Sequence, residues 1–289
     1  MIYKACKTIA EIGCNHKGDI NIAKSLISLA KDCGADVAKF QKRNSKELLP
    51  DAQYNAPHPN PINSYGQTYG AHREFLEFSK TEHFELLEFC NSINIIYSTS
   101  VWDVTSAKEI CQINPKLIKV PSASNTHYEM LKVLRDEYKG DVHVSFGMTT
   151  KNEQEKLVSF FEEKGEALDR LIIYSCTSGY PVPFNSVCLL EIKDIKNKFE
   201  KRVKSIGFSG HHLGIAVDMV AYTLGVSWIE RHFTKDRTWK GTDHSASLEP
   251  AGFSKLTRDL KAAYHSLAYK EKEILDIEVP QREKLKYFK

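Results

Sequence analysis

Short runs of apolar and β-branched residues alternate with longer stretches whose apolar positions recur every three to four residues, and this rhythm repeats eight times along the chain. The runs at 7–12, 36–40, 94–99, 117–120, 142–146, 171–175, 205–208 and 227–231 read as strands. Each is about as long as a barrel strand and mostly apolar, as parallel strands covered on both faces must be. Helical periodicity follows each. The first stretch, 21–33, sets Ile22, Leu26, Leu29 and Ala30 on one face, and Gly34 stands where a C-terminal cap belongs. The others are 81–93, 104–113, 128–138, 151–163, 186–199, 214–224 and 252–268.

Eightfold strand–helix alternation predicts an α/β fold, a (β/α)₈ TIM barrel in a single domain. The 289 residues agree, since such a barrel takes about 250. The barrel is placed at 1–268, followed by a charged C-terminal extension, 269–289, broken by Pro280. One connection departs from the rhythm. Residues 42–80 are rich in Pro, Asn, Tyr and Gln, and a connection that long is usually functional. It follows the second strand, so it belongs on the C-terminal face, where barrel enzymes hold substrate. It reads as a lid or substrate-binding excursion, with Tyr65 and Tyr69 as candidates.

A formal charge of +3 with dispersed Lys and Arg gives no sign of nucleic-acid binding. The seven cysteines share no C-x-x-C spacing and mostly sit in apolar runs, which suits free thiols in a reducing compartment rather than a zinc–thiolate centre. No signal-peptide core and no apolar stretch of about 18 residues occurs. A soluble, cytoplasmic protein is the expectation, with no membrane partner.

In a parallel barrel the chemistry gathers where strands end. Strand 1 runs into Glu11, Asn15 and His16; a buried Glu must be paired or employed. Lys39 and Gln41 on strand 2 alternate, so they face one side. Lys119 on strand 4 is a second lysine inside an apolar run. Two converging lysines with Ser122, Ser145 and Ser209 would form a pocket for phosphate and carboxylate. His211 and His232, at the ends of the last two strands beside Glu230, suit a divalent metal with open positions for water and substrate. His212 should point elsewhere. Asp243 lies in a loop dense in functional groups, Thr238–Ser247, and could support the metal or its water.

The blocks AEIGCNHKGD, GADVAKFQKR, TYGAHREFLEFS, KVPS, SFGM, CTSGYPVP, GFSGHH, ERHFT and TWKGTDHSASLEP, in this order, resemble the sialic acid synthase (N-acetylneuraminate synthase) family over nearly the whole chain. The resemblance implies a C–C bond-forming transferase. Phosphoenolpyruvate would condense with an open-chain aldose, such as N-acetylmannosamine or its 6-phosphate, giving a sialic-acid-like 2-keto-3-deoxy acid and phosphate. It also implies a divalent metal, Mn²⁺ or Mg²⁺, and a homodimer. Lys39, Lys119, Ser122, Ser145 and Ser209 match positions that hold phosphoenolpyruvate, and His211 and His232 match metal ligands. Glu11, Gln41, Tyr180, Glu230 and Asp243 match further active-site positions. The catalytic set is therefore Glu11, Lys39, Lys119, Glu230 and Asp243. The substrate set is Asn15, Gln41, Tyr69, Ser122, Ser145, Tyr180 and Ser209.

Two departures accompany the likeness. Ser124 stands where the family usually has an acid that helps handle protons. The chain also stops near Lys289, where many relatives continue into an antifreeze-protein-like domain, so a barrel domain alone is expected. Two other readings stay open. A metal-dependent sugar aldolase or isomerase would use the histidines but leave the strand lysines unexplained. A catalytically inactive barrel would bind ligand without turnover.

Overall fold

A computed structural model describes residues 3–287. The eight strands are β1 (Lys7–Gly13), β2 (Val37–Lys42), β3 (Ile96–Val101), β4 (Leu117–Val120), β5 (Asp141–Ser145), β6 (Leu171–Cys176), β7 (Ser205–Gly210) and β8 (Trp228–His232). They pair in parallel in chain order, and β8 closes on β1. The expected (β/α)₈ barrel is therefore the fold. Strand ends differ from expectation by a residue or two for local reasons. Asn94, expected to open the third strand, instead makes a left-handed turn (φ 57°) after the helix Lys80–Ser92. The helix expected from Ser186 begins at Glu191, because Cys188 takes φ 53° and breaks the turn before it.

Alternation along each strand separates two packed regions. Outward residues such as Ala10, Ile12, Ala38, Phe40, Ile118, Val120, Val142 and Val144 join the helices in the main core. Inward residues Ile9, Val37, Leu117, Ile172, Tyr174 and Trp228 form a separate apolar plug that closes the lower lumen. One step further along the strands the inward positions turn polar: Glu11, Lys39, Ser100, Lys119, Ser145, Ser209 and Glu230. This switch within one lumen, from plug to polar layer, sets the depth of the site.

Side chains and backbone groups at the helix starts fix the loops above. Asp19 accepts from the Asn21 and Ile22 amides at 2.7 and 3.2 Å, and Ser79/Glu82 and Thr150/Glu153 form reciprocal caps. The 42–80 excursion is structured. It folds as short helices Ser45–Leu48, Asp51–Tyr54 and Tyr69–Phe75, with a 3₁₀ turn at Pro61–Asn63. It is clasped to the loop after β8: the Gly241 amide donates to Asn63 Oδ1 at 3.2 Å, and the Tyr65 hydroxyl donates to the Lys240 carbonyl. After the last barrel helix, Pro250–Ser266, the charged segment carries a short helix, Val279–Leu285, with no buried residue. Among the described residues, no helix is long and apolar enough to cross a membrane.

Candidate active site

The C-terminal mouth opens into a cavity of about 410 Å³. Lys39 and Lys119 rise into its floor, each only 2% exposed. Lys39 forms an ion pair with Glu11, lies 3.7 Å from Glu230 Oε1, and donates to Ser100 Oγ at 2.8 Å. Lys119 donates to Ser145 Oγ at 2.5 Å and to the Val120 carbonyl at 3.2 Å, and sits 5.3 Å over the Tyr174 ring. Register explains the meeting. Glu11 pairs with Lys39 across β1 and β2, and with His232 across β1 and β8, so carboxylate, ammonium and imidazole share one level.

The floor is balanced, with two ammonium groups facing two carboxylates. Burial pushes the Lys119 ammonium down, Glu230 opposes that, and Lys39 adds to it. Burial alone would raise Glu230, but Lys39 and Lys119 outweigh it and hold this carboxyl well below the usual range. Ser209 Oγ donates to Glu230 Oε1 at 3.2 Å, whereas Glu230 Oε2 is buried without a hydrogen-bond partner.

At the rim the His211 and His232 rings lie 5.4 Å apart, centroid to centroid. Tyr180 packs against both, at 4.4 and 5.9 Å. Burial, with His232 beside it, pulls His211 down to about 3, so its ring is neutral and able to ligate. His211 Nδ1 lies 3.2 Å from the Thr177 carbonyl, which leaves the other nitrogen for the cavity. His232 Nδ1 is buried and unpartnered. An orphaned imidazole nitrogen beside a neutral imidazole fits a divalent cation. Among the described residues, no group of three or more His, Cys, Asp or Glu forms a complete cage, so the rest of such a sphere would be water and substrate oxygen. His212 points away, as expected, to Asp218 and Arg231.

Of the residues expected from sequence, Glu11, Lys39, Gln41, Tyr69, Lys119, Ser122, Ser145, Tyr180, Ser209, His211, Glu230, His232 and Asp243 all line this cavity. Gln41 donates to Glu11 Oε1 at 3.0 Å. Gly13 is demanded here: its φ is +55°, and a Cβ would crowd Gln41, Glu11 and Asp243 at 3.2–3.4 Å. Asn15 is the exception. It is 1% exposed and absent from the cavity lining, and its Nδ2 donates to the Phe233 carbonyl at 2.9 Å and to Ser247 Oγ at 3.0 Å. It staples the first loop to the last. Ser124 also lies outside the main cavity.

Sequence reasoning missed Ser100, Arg43, Trp102, Cys176 and Arg73, all of which line the cavity. A signal existed for one of them: Arg43 continues the two-residue alternation of Lys39 and Gln41. It is buried, with Nε on Glu77 and Nη2 donating to Cys14 Sγ at 2.8 Å.

The NeuB family matches residues 26–272. Human N-acetylneuraminate-9-phosphate synthase is 35% identical over 97% of this chain and 76% of its own length. N,N'-diacetyllegionaminic acid synthase of Campylobacter jejuni is 32% identical over 88% and 75%. Among solved structures, N-acetylneuraminic acid (sialic acid) synthetase from Leptospira borgpetersenii, in complex with citrate, superposes with a TM-score of 0.81 at 28% identity. That superposition covers 98% of this chain and 93% of that one.

Proposed function

The chain belongs to the NeuB family and is a sialic-acid-synthase-like condensing enzyme, and from that premise we propose that it joins phosphoenolpyruvate to the aldehyde of an open-chain N-acylhexosamine or its 6-phosphate. The products are inorganic phosphate and a 2-keto-3-deoxy sugar acid longer by three carbons. One observation carries the reading: two buried lysines stand in the same lumen mouth as two facing imidazoles. A metal-dependent isomerase or aldolase needs the imidazoles but leaves the two strand lysines unexplained.

Lys39 and Lys119, with Ser122, Ser145 and Ser209, meet the phosphate and carboxylate of phosphoenolpyruvate with charge and short donors. His211 and His232 would hold the divalent cation, Mn²⁺ or Mg²⁺, which when bound supplies Lewis-acid polarisation of the aldehyde oxygen. Confining both substrates above a sealed plug replaces a bimolecular encounter with a fixed approach. The methylene carbon of phosphoenolpyruvate bonds to the aldehyde carbon, whose oxygen takes a proton and becomes a hydroxyl. Water adds at C2, and the C2–O bond to phosphate then breaks as the keto group forms.

A carboxylate must move protons in that sequence. Glu11 and Glu230 are tied to Lys39, whereas Asp243 is bonded by its neighbour Thr242 Oγ1 at 3.0 Å and faces the cavity. Asp243 is therefore the exchangeable carboxylate in place of the acid that Ser124 lacks.

The test incubates the protein with phosphoenolpyruvate, Mn²⁺ and N-acetylmannosamine, its 6-phosphate, or mannose, and assays phosphate and 2-keto-3-deoxy acid together. Stoichiometric release supports the reading. No product with any aldose, together with no phosphoenolpyruvate binding, rejects it.

A further inference from the structure

Beside the main cavity lies a second one of about 250 Å³, and the two share a wall that includes Arg73 and Trp102. No carboxylate lines the side cavity. Two of its polar groups lack a partner, and a third is a cation bonded only to a neutral hydroxyl. The Trp102 indole N–H is buried and unpartnered, and so is Ser45 Oγ, on a residue 6% exposed. Both of Arg73's side-chain bonds go to one neutral group, the Tyr69 hydroxyl, and among the described residues it makes no ion pair. Arg43, also in the wall, is already satisfied by Glu77 and Cys14. A guanidinium and an indole can only donate, and buried donors left unmade are costly. The arrangement calls for a ligand group that only accepts and carries negative charge.

We propose that this side cavity takes the phosphoryl group of a phosphorylated aldose, with Arg73, Trp102 and Ser45 as its donors. The inference rests on the condensing reading above and narrows it to the phosphorylated sugar. The lumen lysines serve phosphoenolpyruvate at the floor. The second substrate, with its aldehyde at the histidine rim, extends along the excursion wall and places its far end beside Arg73. A neutral acyl group would satisfy the indole yet leave Arg73 without a counter-charge.

Steady-state kinetics with phosphoenolpyruvate and Mn²⁺ compare N-acetylmannosamine 6-phosphate with N-acetylmannosamine. The expected result is a higher kcat/KM for the phosphorylated sugar. Arg73→Met should lower the ratio of the two kcat/KM values about 30-fold, mainly through KM, with partial recovery in Arg73→Lys and a smaller loss in Ser45→Ala. A wild-type enzyme that prefers the unphosphorylated sugar, or a ratio that Arg73→Met leaves unmoved, overturns the proposal. The second outcome would make Arg73 a support for Tyr69 alone. Calorimetric titration of the sugar phosphate into the full chain separates the two claims. Arg73-dependent binding without turnover of any sugar strikes the condensing reading and supports the subsite. Turnover of N-acetylmannosamine with no binding of its phosphate does the reverse.

Discussion

Replacing Lys119 with Met should leave stability nearly unchanged while sharply weakening phosphoenolpyruvate binding. The two effects come from the same geometry. The Lys119 ammonium is 2% exposed and has no carboxylate within salt-bridge distance; its near partners are the Ser145 hydroxyl, the Val120 carbonyl and the Tyr174 ring. Removing a desolvated ammonium relieves its burial cost, but taking one cation from a buried charge network also leaves its carboxylates less compensated, and losing one partner of a tight buried pair costs about 3–5 kcal/mol. Lys119 has no carboxylate at salt-bridge distance and Glu230 keeps Lys39 at 3.7 Å, so the two effects nearly offset and stability should change little.

Binding has no such offset. The floor now holds two ammonium groups against two carboxylates. Without Lys119 it carries net negative charge, and a strongly anionic substrate meets one cation instead of two. Truncating one member of a buried, hydrogen-bonded charge pair costs about 2–5 kcal/mol, or roughly 30- to 4,000-fold in Kd. Calorimetric titration of phosphoenolpyruvate in the presence of Mn²⁺, paired with thermal melting, reads both quantities on one preparation. Affinity within threefold of wild type would refute the assignment of the lumen floor to this substrate. A melting temperature many degrees lower would refute the account of Lys119 as a charge whose burial cost offsets its share in holding Glu230.

Other outcomes follow from the same structure. His211→Ala should weaken Mn²⁺ by at least about 100-fold, read by electron paramagnetic resonance, since losing a ligand exceeds the usual cost of disturbing its support; chelation of wild type should abolish turnover, and added Mn²⁺ should restore it. Asn15→Ala should cost about 1–3 kcal/mol in denaturant unfolding, because the buried Phe233 carbonyl loses its donor, while phosphoenolpyruvate affinity stays at the wild-type value. Burial lowers His83 and His143 from 6.5 to about 3, so the unfolded chain binds more protons than the folded one between those values. Stability is complete above pH 6.5 and is lost as pH falls toward 3, by about 2 kcal/mol per histidine at pH 5. Urea titrations at pH 7 and 5 measure this, and His83→Gln should remove its share of the difference.

The barrel was legible because its signal is repeated. Eight apolar runs each carried the same message, and a misplaced end such as Asn94 changed nothing in the topology. The lumen chemistry was legible for a related reason: a lysine in an apolar strand has few destinations, and period-two alternation sends Lys39 and Gln41 the same way. Asn15 shows where proximity in sequence fails. It sits four residues from Glu11, but the chain turns between them, and a shared motif does not determine a shared direction.

The side cavity lay outside what pattern could reach. Its lining comes from the excursion, from β3's exit at Trp102, and from the short turn holding Ser124, segments with no common periodicity. What joins them is the excursion's fold. Tyr69–Phe75 delivers Arg73, and the clasp from Asn63 and Tyr65 to the β8 loop fixes the segment over the mouth. The same clasp holds the loop that bears Asp243, so the wall of the proposed subsite and the carboxylate proposed to exchange protons are joined through two hydrogen bonds. A strand-end reading assigns chemistry to the rigid barrel. The excursion adds a second source of specificity, one that can vary in sequence without disturbing the lysines, the histidines or the plug beneath them.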